Sequence, residues 1–296
     1  GLGMDAAIQE VMFTTPQTTD DPLSAMETLR TLHASRRLRH LPVVDKAGIL
    51  IDVASLDDIS THDSWVFLLA GGLGTRLRPL TDSTPKPMLE VGGKPILESI
   101  MRSLIEQGFH KFFISVSYRA ESITEYFGDG SKWGAEIQYI YEDEPKGTAG
   151  PLSLIPVEQT SPLLVMNGDL LTKANFSQIL RYHEEHGLDA TMCVREYEFQ
   201  VPFGVVVTKD HHVVDIEEKP THQFLVNAGM YVLSPRVISR IPKSGAYDMP
   251  ELFRSLIADG GTTAAYPIHE YWLDIGRAEE FARANNEFSK TFHKAP

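Results

Sequence analysis

From Trp65 onward, short apolar runs alternate with stretches in which apolar residues recur every three or four positions. Trp65–Leu69, Lys111–Val116, Ile137–Tyr141, Leu163–Met166 and Ala190–Val194 have the length and composition of buried strands. Between them, Pro95–Gln107, Ala120–Phe127, Ala149–Leu154 and Phe176–Glu185 carry helical spacing, with stops at Gly108 and His186-Gly187. Past Val194 the rhythm changes to strands at Gly204–Thr208, Val213–Glu218 and Phe224–Leu233. A helix at Met249–Ala258, a strand at Thr263–Pro267 and a last helix from Ala278 follow. Strands alternating with helices predict an α/β fold, a mostly parallel sheet with helices on both faces. In such sheets ligands gather at the carboxyl ends of the strands.

The residues before Trp65 read as a separate small α/β unit. Pro22–His33 has Leu23, Met26, Leu29 and Leu32 at helical spacing. Leu41–Asp45 and Ile49–Val53 form a predicted hairpin across a turn at Lys46–Gly48, and Ser55 is placed to cap a closing helix that begins at Ser55–Ile59. The polar stretch Ser60–Ser64 sets the expected boundary, giving domains 1–62 and 63–296. Gly1-Leu2-Gly3 resembles a cloning remnant and is left out of the fold reading.

Composition narrows the function classes. Of 296 residues, 42% are hydrophobic and 23% charged, as expected of a soluble globular chain long enough for a large domain and a small one. No apolar run reaches membrane-span length, and no charged-then-apolar leader is visible, so a cytoplasmic protein without membrane contact is expected. The single cysteine, Cys193, excludes an internal disulfide and reads as a buried, inert thiol. A net charge of −13 argues against a nucleic-acid partner. Anionic substrates would then need local cations and a divalent metal.

The most informative stretch is Trp65–Leu97. The first strand runs into Gly71-Gly72-Leu73-Gly74-Thr75-Arg76, where glycines let backbone N–H groups approach an anion without a Cβ in the way. Arg76 and Arg78 add forked donors suited to phosphate. Lys86 is mounted between Pro85 and Pro87. Together these read as a polyphosphate cradle. It is not a P-loop, because no lysine follows the glycines at the required spacing, and it is not the dinucleotide fingerprint, because Leu77 occupies the third glycine position.

Leu69-Ala70-Gly71-Gly72-x-Gly74-Thr75-Arg76-Leu77-x-Pro79-Leu80-Thr81, followed by Pro85-Lys86-Pro87-Met88-Leu89, resembles the signature of the sugar-1-phosphate nucleotidyltransferases. The likeness extends to about Phe288. It implies a Rossmann-like sheet of the nucleotide-diphospho-sugar transferase type and nucleotide contacts from Leu69, Ala70, Gly71, Gly72, Gly74, Thr75 and Arg76. It also implies Mg²⁺ on Asp169, in Asn167-Gly168-Asp169, and on Asp274, in Trp272-Leu273-Asp274-Ile275-Gly276. From the residues alone, the first of these is equally a turn and the second a cap for the last helix.

Glu142-Asp143-Glu144-Pro145-Lys146-Gly147-Thr148-Ala149-Gly150 is similar to the family's base-reading loop, which implies base and nucleotide contacts at Glu142, Gly147 and Thr148. A carboxylate only accepts hydrogen bonds, and guanine offers two adjacent donors, so GTP is expected over UTP or dTTP. On the sugar side the resemblance implies roles for Gly204, Glu218, Lys219 and Asn227. Asp248-Met249-Pro250-Glu251 echoes the family without a clear role. Arg76, Lys86, Asp169 and Lys219 are the expected catalytic set. The implied reaction is in-line attack of a sugar-1-phosphate oxygen on the α-phosphorus, releasing pyrophosphate, with no general base because the nucleophile is already an anion.

The sugar is not written in the residues. The order of the N-terminal unit is similar to one CBS motif, in which Ser55 and Asp58 would hold the ribose of an adenine nucleotide; Ser-x-x-Asp is also a plain capping pattern. A lone CBS-like unit implies a truncated chain or pairing in a homodimer, and its fusion here resembles enzymes that make GDP-glucosamine for legionaminic-type (nonulosonic) acids. The alternatives are uridylyl or thymidylyl transfer to glucose-1-phosphate, and a catalytically silent nucleotide-sugar-binding regulator.

Overall fold

The computed structural model describes residues 15–22, 24, 25, 28, 29, 31, 32, 38, 40–55, 62–156 and 158–292. The chain divides into two units, Gly1–Thr61 and His62–Pro296. In the first, strands β1 (His40–Val44) and β2 (Leu50–Ser55) form the expected antiparallel hairpin. Asp45 Oδ1 fixes its turn by accepting the N–H groups of Ala47 at 2.8 Å and Ile49 at 2.9 Å. Leu41 and Val43 are buried, as are Ala25 and Leu29, which with Thr28, Thr31 and Leu32 are helical. Ser55 ends β2. Asp58 and the expected closing helix beyond Ser55 lie outside the described residues.

The second unit is built on a seven-stranded sheet. Its strands are β3 (Val66–Leu69), β6 (Lys111–Val116), β7 (Glu136–Tyr141), β8 (Leu163–Asn167), β10 (Ala190–Gln200), β13 (Thr221–Leu233) and β14 (Thr263–Pro267), in the order β14-β10-β13-β8-β3-β6-β7. Strands β8, β3, β6 and β7 run parallel, as do β10 and β14, while β13 runs antiparallel to both of its neighbours. Smaller pairs are β4 (Glu90–Val91) with β5 (Lys94–Pro95), β9 (Leu170–Thr172) with β15 (Trp272–Asp274), and β11 (Gly204–Lys209) with β12 (His212–Glu218).

The central strands β3, β6 and β8 are largely apolar because both faces are covered. Val66 and Leu68 of β3, Phe112 and Ile114 of β6, and Leu164 and Met166 of β8 enter one core; Phe67, Phe113, Leu163 and Val165 enter the other. The first core is covered by α1 (Ile96–Glu106), α2 (Ala120–Phe127), α3 (Phe176–Glu185) and α6 (Ala278–Phe292). The second is covered by α4 (Pro235–Ile238) and α5 (Met249–Ala258). In α1 the apolar stripe Ile96, Leu97, Ile100, Met101, Leu104 is fully buried, and the chain turns away at Gly108, whose φ of +90° lies in the left-handed region.

Candidate active site

Four parallel strands deliver their carboxyl ends to one rim of the sheet. Strand β3 leads into the glycine loop, β6 into Ser117, β7 into Glu142 and β8 into Asn167-Gly168-Asp169. Adjacent strands lie about 4.8 Å apart, so the three spacings from β8 to β7 span roughly 14 Å.

The glycines of the first loop answer to specific neighbours. A Cβ on Gly71 would collide with the Glu142 carboxylate. Gly74 has φ +60°, and a Cβ there would lie 2.9 Å from Lys86 Cβ and 3.0 Å from Thr81 Cγ2. Thr81 Oγ1 donates to the Gly74 carbonyl at 2.9 Å. The loop is thereby packed onto the Pro85-Lys86-Pro87 segment. Gly72 has open space around it.

Lys86 is 8% exposed, and its ammonium is ion-paired with Asp169 Oδ2. Among the described residues, Asp169 Oδ1 is buried with no hydrogen-bond partner, as is Asn167 Oδ1 two residues earlier. The β9–β15 pair brings in the second aspartate: Asp274 is the antiparallel partner of Leu170, and the N–H of Ile275 donates to the Asp169 carbonyl at 3.1 Å. Burial pushes the Asp274 carboxyl above its ordinary value, the Asp169 charge adds to this, and the Lys86 and Arg76 cations oppose it. The Arg76 guanidinium lies 3.6 Å from where a Cβ on Gly276 would stand, so this glycine leaves room for it. Two neighbouring carboxylates, one with an oxygen unpartnered among the described residues, suit a hard divalent cation such as Mg²⁺, which takes one or two carboxylates plus phosphates and waters. Among the described residues no group of three or more His, Cys, Asp or Glu side chains is placed to hold a metal.

At the other end of the rim, the half-buried Glu142 carboxylate accepts the Lys146 N–H at 3.3 Å and bonds the Ser115 side chain. Burial raises its pKa against those hydrogen bonds and the Lys146 charge. Gly147 has φ +75°, and Thr148 is fastened to Asp248 through both its N–H, at 2.8 Å, and its hydroxyl, at 3.1 Å.

The remaining expected residues sit on a two-stranded ribbon. Gly204 and Glu218 are partners across β11 and β12, and both are exposed. Lys219 is exposed, with φ +49°. No hydrogen bond or ion pair among the described residues joins these three to Asp169 or Asp274. Asn227 lies closer in. Its Oδ1 accepts the Gly229 N–H at 2.9 Å, and Trp272 Nε1 donates to the Ala228 carbonyl at 2.9 Å. A Cβ on Gly229 would stand 2.6 Å from Asn167 Nδ2, which joins this segment to the Asp169 strand end.

The sequence reading did not single out Asn167, Ser115 or the hold of Asp248 on Thr148. Only the last had a signal, the Asp-Met-Pro-Glu helix start, and that start explains a cap without pointing to a loop a hundred residues away.

With this geometry in view, the chain belongs to the Nucleotidyl transferase family, which matches residues 66–291. It is 36% identical over 222 residues to the mannose-1-phosphate guanylyltransferase catalytic subunit beta of Drosophila pseudoobscura pseudoobscura, covering 72% of this chain and 59% of that protein. It is 34% identical over 246 residues to the mannose-1-phosphate guanylyltransferase of Mycobacterium tuberculosis, covering 80% and 68%. The chain thus spans about three fifths to two thirds of the length of these relatives. Among solved structures, HddC from Yersinia pseudotuberculosis complexed with GMP-PN superposes with a TM-score of 0.59 at 28% identity, covering 76% of this chain and 99% of that one. A putative glucose-1-phosphate thymidylyltransferase from Bacillus anthracis shares the fold, with a TM-score of 0.63 at 21% identity, covering 79% and 98%. The family match begins at residue 66 and gives the N-terminal CBS-like reading no support. No helix among the described residues is long and apolar enough to cross a membrane.

Proposed function

We propose that the chain transfers GMP from GTP to a hexose-1-phosphate, releasing pyrophosphate, in a Mg²⁺-dependent reaction. The observation that carries this reading is the convergence of Lys86, Asp169 and Asp274 on one side of the glycine loop, with the Glu142 carboxylate at the end of β7 against Gly71. A nucleotide laid along the rim would put its phosphates on the Gly71–Arg76 amides and the Arg76 guanidinium, and its base against Glu142. The Glu142 carboxylate accepts from both guanine donors, a match that the imide edge of uracil or thymine lacks. The guanylyltransferase names of the relatives point the same way.

In the reaction, a sugar-phosphate oxygen forms a bond to the α-phosphorus as the α–β bridge breaks and pyrophosphate leaves. Mg²⁺ held by Asp169 and Asp274 would neutralise charge shared by the two substrates. Lys86 and Arg76 stabilise negative charge on the reacting phosphates, and the rigid loop holds them in line. On the sugar side, Gly204, Glu218 and Asn227 contact hydroxyls and Lys219 meets the sugar phosphate.

Mannose-1-phosphate is the first sugar to test, because the relatives named above act on it by name. Glucosamine-1-phosphate, expected from the domain fusion, is the second. For the N-terminal unit, adenine-nucleotide binding at Ser55 and Asp58 and pairing in a dimer remain proposals supported by the Leu41–Val53 hairpin alone. Pyrophosphate release, measured for GTP, UTP, dTTP and ATP with each sugar-1-phosphate, tests the reading. Turnover is expected with GTP. No Mg²⁺-dependent release from any pair would contradict it and favour a silent nucleotide-sugar-binding protein.

A further inference from the structure

The loop that carries the base-reading residues is not held by its own strand alone. Thr148 donates its N–H to Asp248 Oδ1 at 2.8 Å and its hydroxyl to the same oxygen at 3.1 Å. That hydroxyl in turn accepts the Met249 N–H at 2.8 Å, closing a small ring at the first turn of α5. The Tyr247 carbonyl accepts the N–H groups of Ala149 and Gly150, both at 2.9 Å, and the Tyr247 N–H donates to the Lys146 carbonyl at 2.9 Å. The same Lys146 peptide donates its N–H to Glu142 Oε2. Hydrogen bonds therefore tie the Tyr247-Asp248 segment to the loop at Lys146, Thr148, Ala149 and Gly150, and the Lys146 peptide in turn to the Glu142 carboxylate.

Two features show that the fit is tight. A Cβ on Gly147 would lie 2.6 Å from Asp248 Oδ1 and 2.8 Å from the Tyr247 carbonyl, at a φ of +75° that disfavours other residues anyway. Asp248 is itself anchored, since its N–H donates to Glu251 Oε2 at 2.9 Å. An ionised acceptor taking two donors from one residue is the strong form of this interaction.

We infer that Asp248 is a positioning residue for nucleotide choice: it clamps the Lys146–Gly150 loop onto α5 and so holds the Glu142 carboxylate at the guanine edge. The inference rests on the guanine reading of Glu142 proposed above. Asp248 touches the loop and not the base, so its loss acts on recognition through Glu142.

Binding of GTP and of ITP, which lacks the exocyclic amine, separates the possibilities when measured by calorimetry on the full chain. A hydrogen bond to a charged acceptor makes GTP tighter than ITP by about 10-fold or more in the unaltered protein. Asp248→Ala is expected to cut that ratio to about threefold or less, while Asp248→Asn, whose amide oxygen can still accept from Thr148, retains most of it. In a Glu142→Gln background, Asp248→Ala should change the ratio no further, since residues acting through one contact are non-additive. A merely structural role would lower the melting temperature and leave the ratio intact, and that result would overturn the inference while leaving the Glu142 reading in place. Equal binding of GTP and ITP by the unaltered protein would overturn both. Thr148→Val and Thr148→Ser give the same comparison with the Asp248 carboxylate left in place: loss of the ratio in the first and retention in the second are expected, and an intact ratio in Thr148→Val would contradict the clamp.

Discussion

Lys86 is ion-paired with one carboxylate oxygen of Asp169, while the other oxygen of the same carboxylate is buried with no hydrogen-bond partner among the described residues. A buried acceptor left open in this way costs stability unless something occupies it. With Asp274 on the adjoining strand as the third charge, the pair forms a cluster whose donors suit a divalent cation.

Replacing Lys86 by Ala should leave a folded protein whose turnover falls by about 10²–10³, the usual effect of removing one preorganised charge from a transition state. Steady-state pyrophosphate release checks it. Turnover within a few-fold of the parent would remove Lys86 from the reaction.

Glu142 makes a paired prediction. Its folded pKa is raised by burial, so the folded chain holds this proton more tightly than the unfolded chain does. Stability contributed by this group is therefore greatest below the ordinary carboxylate range and is lost as pH rises through the raised value. Glu142→Gln should melt higher than the parent at pH 8 while binding GTP more weakly. In the parent, GTP affinity should fall as the carboxyl takes up its proton. A lower melting temperature at pH 8 would contradict the sign.

His183 tests the core rather than the chemistry. Its ring nitrogens lie 2.9 Å from Thr191 Oγ1 and 3.0 Å from Ser234 Oγ, and burial lowers its pKa from 6.5 to about 4. The unfolded chain takes up this proton first as pH falls. The corresponding stability is present above 6.5 and drains away between 6.5 and about 4. Thermal melts of His183→Gln should have a shallower pH dependence across that window; an unchanged slope would count against it.

Gly168 sits where β8 meets the glycine loop, and a Cβ there would stand 2.6 Å from the Leu69 carbonyl, which accepts the Gly168 N–H at 2.8 Å. Backbone has little room to give. Gly168→Ala should cost about 1–3 kcal/mol by overpacking and displace Asp169. Denaturant melts and turnover should fall together, and a variant of parental stability would show that the strand end can relax.

Much of this was legible in the residues because a sheet covered on both faces writes its strands as apolar runs, and β3, β6, β7 and β8 stand close to where those runs lie. Strand β10 runs to Gln200 rather than ending at Val194. Its second half alternates Glu196, Tyr197, Glu198, Phe199 and is held by its register with β13, a partner the local pattern does not reveal. The Gly150–Leu154 segment is a 3₁₀ helix, with Pro151 in its first turn. Strands β9 and β15, of three residues each, are too short to leave a periodic signal, yet they alone put Asp274 beside Asp169. The hold of Asp248 on Thr148 was hidden for the same reason: it is a contact between distant segments whose local sequence is explained by a helix cap.

The most direct test of the account is Mn²⁺ binding, followed by electron paramagnetic resonance with GTP present, in the parent, Asp169→Asn and Asp274→Asn. A cation shared by the two aspartates predicts one tight site in the parent that weakens in both variants. Undiminished binding in either variant would contradict a shared ion, and with it the site on which the proposed reaction depends.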